Sequence, residues 1–222
     1  MSSLKKIKVL VLAGPTWMPI DQVRVMTNIF SGELGLLIAR EFYRQGAQVT
    51  LVFGPGRREL IDFKKDKFKI IFFSYFNELL KIARNKSAGQ KIIVNSAAIA
   101  DYQPVKRFSG KIKSGQSNFQ LNFRPTRKII DEIRRINPRA ILVKFKLEVD
   151  KTKQQLIKTA YHSLLLSKAD YIVANDLSKI INASHEAFII DKNRYIINSY
   201  TKKETAQHLV RLIKCRFGEI NI

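Results

Sequence analysis

The chain of 222 residues carries 40 Lys and Arg against 18 Asp and Glu, a net charge of +22 with histidines neutral. Its hydrophobic share of 45% can fill a core, which excludes intrinsic disorder as the main state, and the length suits a single domain over residues 1–222. A lone cysteine, Cys215, excludes an internal disulfide framework and a cysteine-based zinc site, and points to a reducing, cytoplasmic setting.

The first apolar run, Ile7 to Ala13, is short for a leader and is closed by Gly14-Pro15, so it reads as a buried strand. No stretch approaches the roughly 18 apolar residues of a membrane span. Further runs follow at Gln48 to Phe53, Lys69 to Phe73, Lys91 to Asn95, Ala140 to Phe145 and Tyr171 to Ala174. Several are continuous rather than alternating, the pattern of a parallel sheet covered on both faces. Between and after them, segments 32–45, 75–86, 127–136, 152–167 and 202–216 carry helical spacing, with Asp150 and Thr201 placed as N-caps. The predicted architecture is α/β, a doubly wound, mostly parallel Rossmann-like sheet. Two segments break the rhythm. Residues 102–118 are polar and basic, contain Pro104, Gly110 and Gly115, and read as a long mobile flap loop, a kind of segment more often functional than structural. Glu186 to Ile190 and Arg194 to Asn198, joined by Asp191-Lys192-Asn193, predict an antiparallel β-hairpin (186–198) at the sheet edge.

Ligands of such sheets bind at the C-terminal ends of the strands, so the loops there carry the candidates. After the first strand come Gly14-Pro15-Thr16, Asp21, Arg24, Asn28 and Ser31-Gly32-Glu33-Leu34-Gly35, entering the first helix. Free amides at a helix N-terminus suit a phosphate, although the glycines do not follow the dinucleotide G-x-G-x-x-G spacing and turn or cap chemistry alone would account for them. After the fourth strand, Asn95-Ser96-Ala97-Ala98-Ile99-Ala100-Asp101-Tyr102 offers small side chains beside which a flat ligand could approach the backbone. Asp101 is either an acceptor for a sugar hydroxyl or base amine, or a helix cap. Lys111-Ile112-Lys113 by itself reads as solvated charge. His162, His185 and His208 are too scattered for a metal cluster and read as surface or helix-face residues, and Cys215 reads as a small packed residue.

Taken together and in order, Gly14-Pro15-Thr16, Asp21-Gln22-Val23-Arg24, Asn28, Ser31-Gly32, Gly35, Ser96 to Tyr102, Lys111-Ile112-Lys113, Phe145 and Ala169 to Asp176 resemble phosphopantothenoylcysteine synthetase, also called phosphopantothenate–cysteine ligase, over about residues 7–215. The likeness is to the stand-alone bacterial type, without the flavin-dependent decarboxylase half and hence without FMN. It implies a ligase of coenzyme A biosynthesis that activates 4′-phosphopantothenate as an acyl-nucleotide, with CTP (or ATP) as co-substrate and Mg²⁺ accompanying the triphosphate. Cysteine's amine then forms the amide. By the same resemblance Lys111 supports acyl-nucleotide formation, Arg24, Asn28 and Ala98 serve the second step, and Gly14, Asn95, Ser96, Ala97, Asp101, Lys111, Arg124, Pro125, Thr126, Arg127 and Phe145 contact the nucleotide. No protein-bound metal site is implied. A cytoplasmic homodimer is.

Several residues depart from the family pattern: Met18 for a glutamate, Glu33 for a basic or neutral residue, Arg127 for a proline, and Lys144 for the glycine before Phe145. Two lysines of the helix beside the triphosphate align with or near Ser163 and Ser167. These losses leave a catalytically weakened relative as one alternative. A basic nucleic-acid-binding protein is the other, since 10 Lys or Arg and 2 acids lie between Tyr102 and Arg139, with Phe108, Phe119 and Phe123 among them. Against it, the charge is spread along the whole chain and no nucleic-acid-binding signature is present.

Overall fold

The computed structural model describes residues 4–57, 66–115, 117–181 and 184–219. Eight strands form one sheet: β1 (Lys8–Ala13), β4 (Gln48–Phe53), β5 (Phe68–Phe72), β6 (Ile92–Asn95), β9 (Ile141–Glu148), β10 (Tyr171–Ile181), β11 (Ser184–Asp191) and β12 (Ile196–Ser199). Two short pairs stand apart, β2 (Met18–Pro19) with β3 (Val25–Met26) and β7 (Tyr102–Pro104) with β8 (Phe123–Pro125). The sheet order is β12-β11-β10-β9-β6-β1-β4-β5. Its six strands from β5 to β10 are parallel, and their order, 3-2-1-4-5-6 when counted along the chain, is that of the Rossmann fold. The order reverses beside β1. That places the topological switch point between β1 and β6.

The continuous apolar runs are buried on both faces, as a parallel sheet demands. Val9, Val11, Ile92 and Val143 face one cluster, into which α1 (Glu33–Arg44) and α5 (Lys202–Glu219) insert Leu36, Phe42, Leu209 and Ile213. Leu10, Leu12, Ile93 and Leu142 face the other, filled by α2 (Phe76–Ser87), α3 (Ile129–Ile136) and α4 (Lys153–Leu166). The two layers are tied below the sheet by Asp170, which precedes β10. Its carboxylate takes Arg134 of α3 at 2.9 Å and Arg216 of α5 at 2.8 Å.

Three expectations are corrected. Asp150 does not cap α4; its φ of +54° puts it in a left-handed turn, and Thr152 caps instead, accepting from Gln155 N while Thr152 N donates to Gln155 Oε1. Cys215 is exposed, because it lies two residues beyond Ile213 and so off the buried stripe of Ala206, Leu209, Val210 and Ile213. His185 is neither on the surface nor on a helix: it lies 5% exposed in β11, and desolvation pushes its pKa down. The strand before it, β10, runs on past Ala174 to Ile181 with a register irregularity between Asn175 and Ile180. The edge hairpin and the Thr201 cap agree with expectation, Thr201 Oγ1 accepting from Glu204 N at 3.1 Å.

Candidate functional site

Four segments converge over the switch point. Gly14, at φ +82°, turns the chain out of β1 so tightly that a Cβ there would lie 2.8 Å from Gly54 N. The loop after β1 is then laced to the loop after β6: Ala98 N donates to Gly14 O (3.0 Å), Thr16 N to Ala98 O (3.3 Å), Ala100 N to Thr16 Oγ1 (3.0 Å), and Ser96 N and Oγ both to Leu12 O. Asn28 Nδ2 donates to Ala98 O at 3.0 Å. The small residues at 96–98 thus line a backbone-rich crevice. Beside it opens a cleft of about 430 Å³ whose wall includes Asn28, Asp101 and Tyr102 together with Met26, Ile99 and Phe123.

The third segment is the flap, and what holds it is a buried carboxylate. Asp21 is 2% exposed. Its Oδ1 accepts from Val23 N (2.7 Å) and Arg24 N (2.6 Å), and its Oδ2 accepts from Arg24 Nη1 (2.6 Å) and from Ile112 N (3.0 Å). The Ile112 amide, followed by the Val23 and Arg24 amides and the Arg24 charge, holds its pKa down at about 2 against the opposing effect of burial. Arg24 also reaches Ile112 O, Phe108 N donates to Ile20 O, and Gln22 N donates to Gly110 O. Lys111 itself is exposed, next to the clamped Ile112. Of the expected loop, residues 102–104 form β7 and pair with β8, because the extended chain at 123–125 supplies a partner ladder that composition could not reveal; Gln116 lies outside the described residues.

The fourth segment, 124–128, divides by burial. Thr126 is 9% exposed and structural: its N donates to Asp101 O and its Oγ1 to Ala100 O. Arg124, Pro125 and Arg127 are exposed. Asp101 caps no helix; it pairs with Lys128 at 2.5 Å. At the far side, Asn95 and Lys144 are partners in the β6–β9 register, whereas Phe145 packs against the α1/α5 layer on the opposite face of the sheet. In sequence Lys144 and Ser163 are two separate departures from the family pattern. Here they touch, Lys144 Nζ donating to Ser163 Oγ at 2.8 Å and to Ser163 O at 3.1 Å.

Gly14, Asn28, Ser96, Ala97 and Ala98 therefore meet where the loops after β1 and β6 are laced together, Asn28 and Asp101 also line the cleft, Arg24 reaches the Lys111 segment through Ile112, and Asn95 and Lys144 adjoin at the ends of β6 and β9. Asp21 and Thr16 join the loops; in sequence both belong to motifs of the resemblance, but their partners Ile112 and Ala100 are set by the fold. Among the described residues no three of His, Cys, Asp and Glu come together as a metal cage, and no helix is long and apolar enough to cross a membrane.

The six-stranded parallel core with its order reversal beside β1 defines the class as a doubly wound α/β protein. The particular family follows from comparison: the chain belongs to that of the DNA/pantothenate metabolism flavoprotein C-terminal domain, whose pattern matches residues 4–216. This is the family of the phosphopantothenoylcysteine synthetases that the ordered motifs resemble. The coenzyme A biosynthesis bifunctional protein CoaBC of Thermococcus kodakarensis is 31% identical over 210 residues, 93% of this chain and 51% of that protein. The chain thus spans about half the length of the curated relative it matches. The crystal structure of the DNA/pantothenate metabolism flavoprotein from Streptococcus pneumoniae superposes with a TM-score of 0.87 at 29% identity, covering 95% of this chain and 99% of that one. A Cab2 mutant in complex with phosphopantothenate-cysteine has the same fold, with a TM-score of 0.74 at 17% identity over 97% of this chain and 88% of its own.

Proposed function

We propose that the chain is a phosphopantothenate–cysteine ligase working through an acyl-nucleotide, with CTP or ATP as co-substrate. The observations that carry the reading are two contacts from the loop after β1: Asn28 donates to Ala98 O, and Arg24 with Asp21 holds Ile112, the neighbour of Lys111. A carboxylate is a poor electrophile because oxide would have to leave. In the first step a carboxylate oxygen of 4′-phosphopantothenate attacks the α-phosphorus, the bond to the β-phosphate breaks and pyrophosphate leaves. Lys111, exposed on the flap beside the clamped Ile112, supplies a positive charge that offsets the negative charge developing on the phosphoryl oxygens. In the second step the amine of cysteine attacks the acyl carbon, the bond to the nucleoside monophosphate breaks, and the amine gives up a proton. Asn28 and Arg24 hold the acyl phosphate in position for that attack.

The phosphopantothenate-cysteine held by the Cab2 mutant supports a product of this class in this fold. Mg²⁺ would enter with the triphosphate as part of the substrate. A homodimer in the cytoplasm is the assembly and setting this reading expects. The test is pyrophosphate release on the first turnover, which should require nucleotide and 4′-phosphopantothenate but not cysteine. Absence of pyrophosphate with all four nucleoside triphosphates would reject the reading.

A further inference from the structure

Lys144 is an ammonium without a counter-anion. It follows the buried run Ile141–Val143 on β9, and alternation places it on the face of Leu142, toward α4. There its Nζ donates to two neutral acceptors, Ser163 O and Ser163 Oγ. Asp131 acts on its charge without forming an ion pair with it, while Asp101 and Glu148 are engaged with Lys128 and Lys146. Two of the three ammonium protons are thus accounted for. Desolvation pushes the pKa of Lys144 down, the mark of a cation held out of water, while Lys146 and Lys128 add repulsion and Asp131 offsets part of it.

Its neighbour in the sheet is incomplete in the opposite sense. Asn95 pairs with Lys144 in the β6–β9 register, and Ile93 and Leu142, two residues earlier on each strand, pack into the same cluster, so both side chains belong to one face. The Oδ1 of Asn95 is buried and accepts no hydrogen bond from the described residues. An unneutralised ammonium and an orphaned acceptor side by side, at the C-terminal ends of strands flanking the switch point, are both completed by a ligand carrying an anion and a hydrogen-bond donor.

We propose that Lys144 binds a phosphoryl oxygen of the activating nucleotide, its third proton pointing to that oxygen, with Asn95 Oδ1 accepting from the nucleoside portion. This rests on the ligase reading and adds to it a cation supplied from a strand and steered by Ser163. A purely structural lysine, tethering α4, is the rival. The two differ in stability: a half-buried ammonium bound only to neutral acceptors gains the fold little, and an apolar replacement of similar length is tolerated or favoured.

The experiment is calorimetric titration of the full chain with CTP and with ATP, alongside thermal unfolding without ligand, for Lys144→Met, Lys144→Arg and Ser163→Ala. Loss of one charge-assisted hydrogen bond should weaken triphosphate binding roughly tenfold to a hundredfold in Lys144→Met, with the unfolding temperature equal to or above that of the unaltered chain. The difference should shrink as salt is raised. Lys144→Arg should recover part of the affinity, and Ser163→Ala, which keeps the ammonium, should lose less. Unchanged affinity in Lys144→Met overturns the proposal and leaves the ligase reading standing. So does a lowered unfolding temperature with the same loss in Ser163→Ala, which would make Lys144 a tether. If the unaltered chain binds no nucleoside triphosphate, the ligase reading fails first and this proposal with it.

Discussion

Asn28→Asp should separate the two half-reactions. Asn28 is half-buried and its Nδ2 donates to Ala98 O at 3.0 Å, from a loop that forms the crevice floor. Aspartate keeps the shape, removes the donor, and points a negative oxygen at that carbonyl. The lost hydrogen bond is worth about 1 kcal/mol. The new charge would also face an acyl phosphate, and two unit charges about 4 Å apart at an effective dielectric of about 20 repel by about 4 kcal/mol, which partial exposure reduces to about 2. Where about 2 kcal/mol of that repulsion is felt in the transition state of amine attack, consumption of the intermediate slows roughly 30-fold. The first step, driven from the Lys111 side, should proceed. Rapid quenching and mass spectrometry should therefore find acyl-nucleotide accumulating in Asn28→Asp and none in Lys111→Gln, whose mobile cation is gone. Intermediate in Lys111→Gln with none in Asn28→Asp would refute the assignment of roles.

Three further outcomes follow from the geometry. In Gly35→Ala the new Cβ would lie 2.4 Å from Ser96 Oγ and 2.5 Å from Ala13 Cβ, so denaturant unfolding should register a loss of about 1–3 kcal/mol, and an unchanged midpoint would contradict the close approach of α1 to the crevice. Asp176 is held at about 2, first by the Ser178 hydroxyl and then by the Lys151, Ser178 and Asp150 amides, against burial. A carboxylate depressed in the folded state stabilises above its unfolded value of 3.8, and loses that contribution as pH falls through about 2. Asp176→Asn should therefore lower the unfolding temperature near neutral pH by an amount that shrinks between pH 4 and 2; a pH-independent gap would show that charge is not the cause. Trypsin should cut the flap after Lys106, Arg107, Lys111 or Lys113 more slowly with CTP present, and faster in Asp21→Ala, which loses the acceptor of Ile112 N. Equal rates in all three samples would show that neither nucleotide nor Asp21 secures the segment.

The parallel sheet was legible because burial on both faces writes itself as uninterrupted Val, Ile, Leu and Phe, and helices declare themselves by spacing. The Thr152-x-x-Gln155 capping box was equally open to reading, yet Asp150 was chosen by residue type alone; its place in a left-handed turn depends on Asp176, 26 residues on. The extension of β10 left no trace because Asn175, Asp176 and Ser178 interrupt the apolar run, Asp176 taking its hydrogen bonds from Ser178 and from the distant Asp150 and Lys151 amides. The flap looked unsupported for the same reason. A buried carboxylate and a few backbone bonds to residues 20–24 secure it, and the fact that Ile112 N lies 91 residues from its acceptor is a property of the fold. Lys144 and Ser163, 19 residues apart and meaningless singly, form one feature only in space.

The bridging of Arg134 and Arg216 by Asp170 decides where the polypeptide can be extended. Helix α5 starts near the crevice, where Lys202 reaches Glu33, and descends to the opposite pole, where Arg216 is fastened beside the start of β10. Strand β1 begins at that same pole, since it runs parallel to β10 through the sheet. The start of β1 and the Arg216 turn of α5 thus share the pole away from the C-terminal ends of the strands, so chain growth from either element is directed away from the crevice.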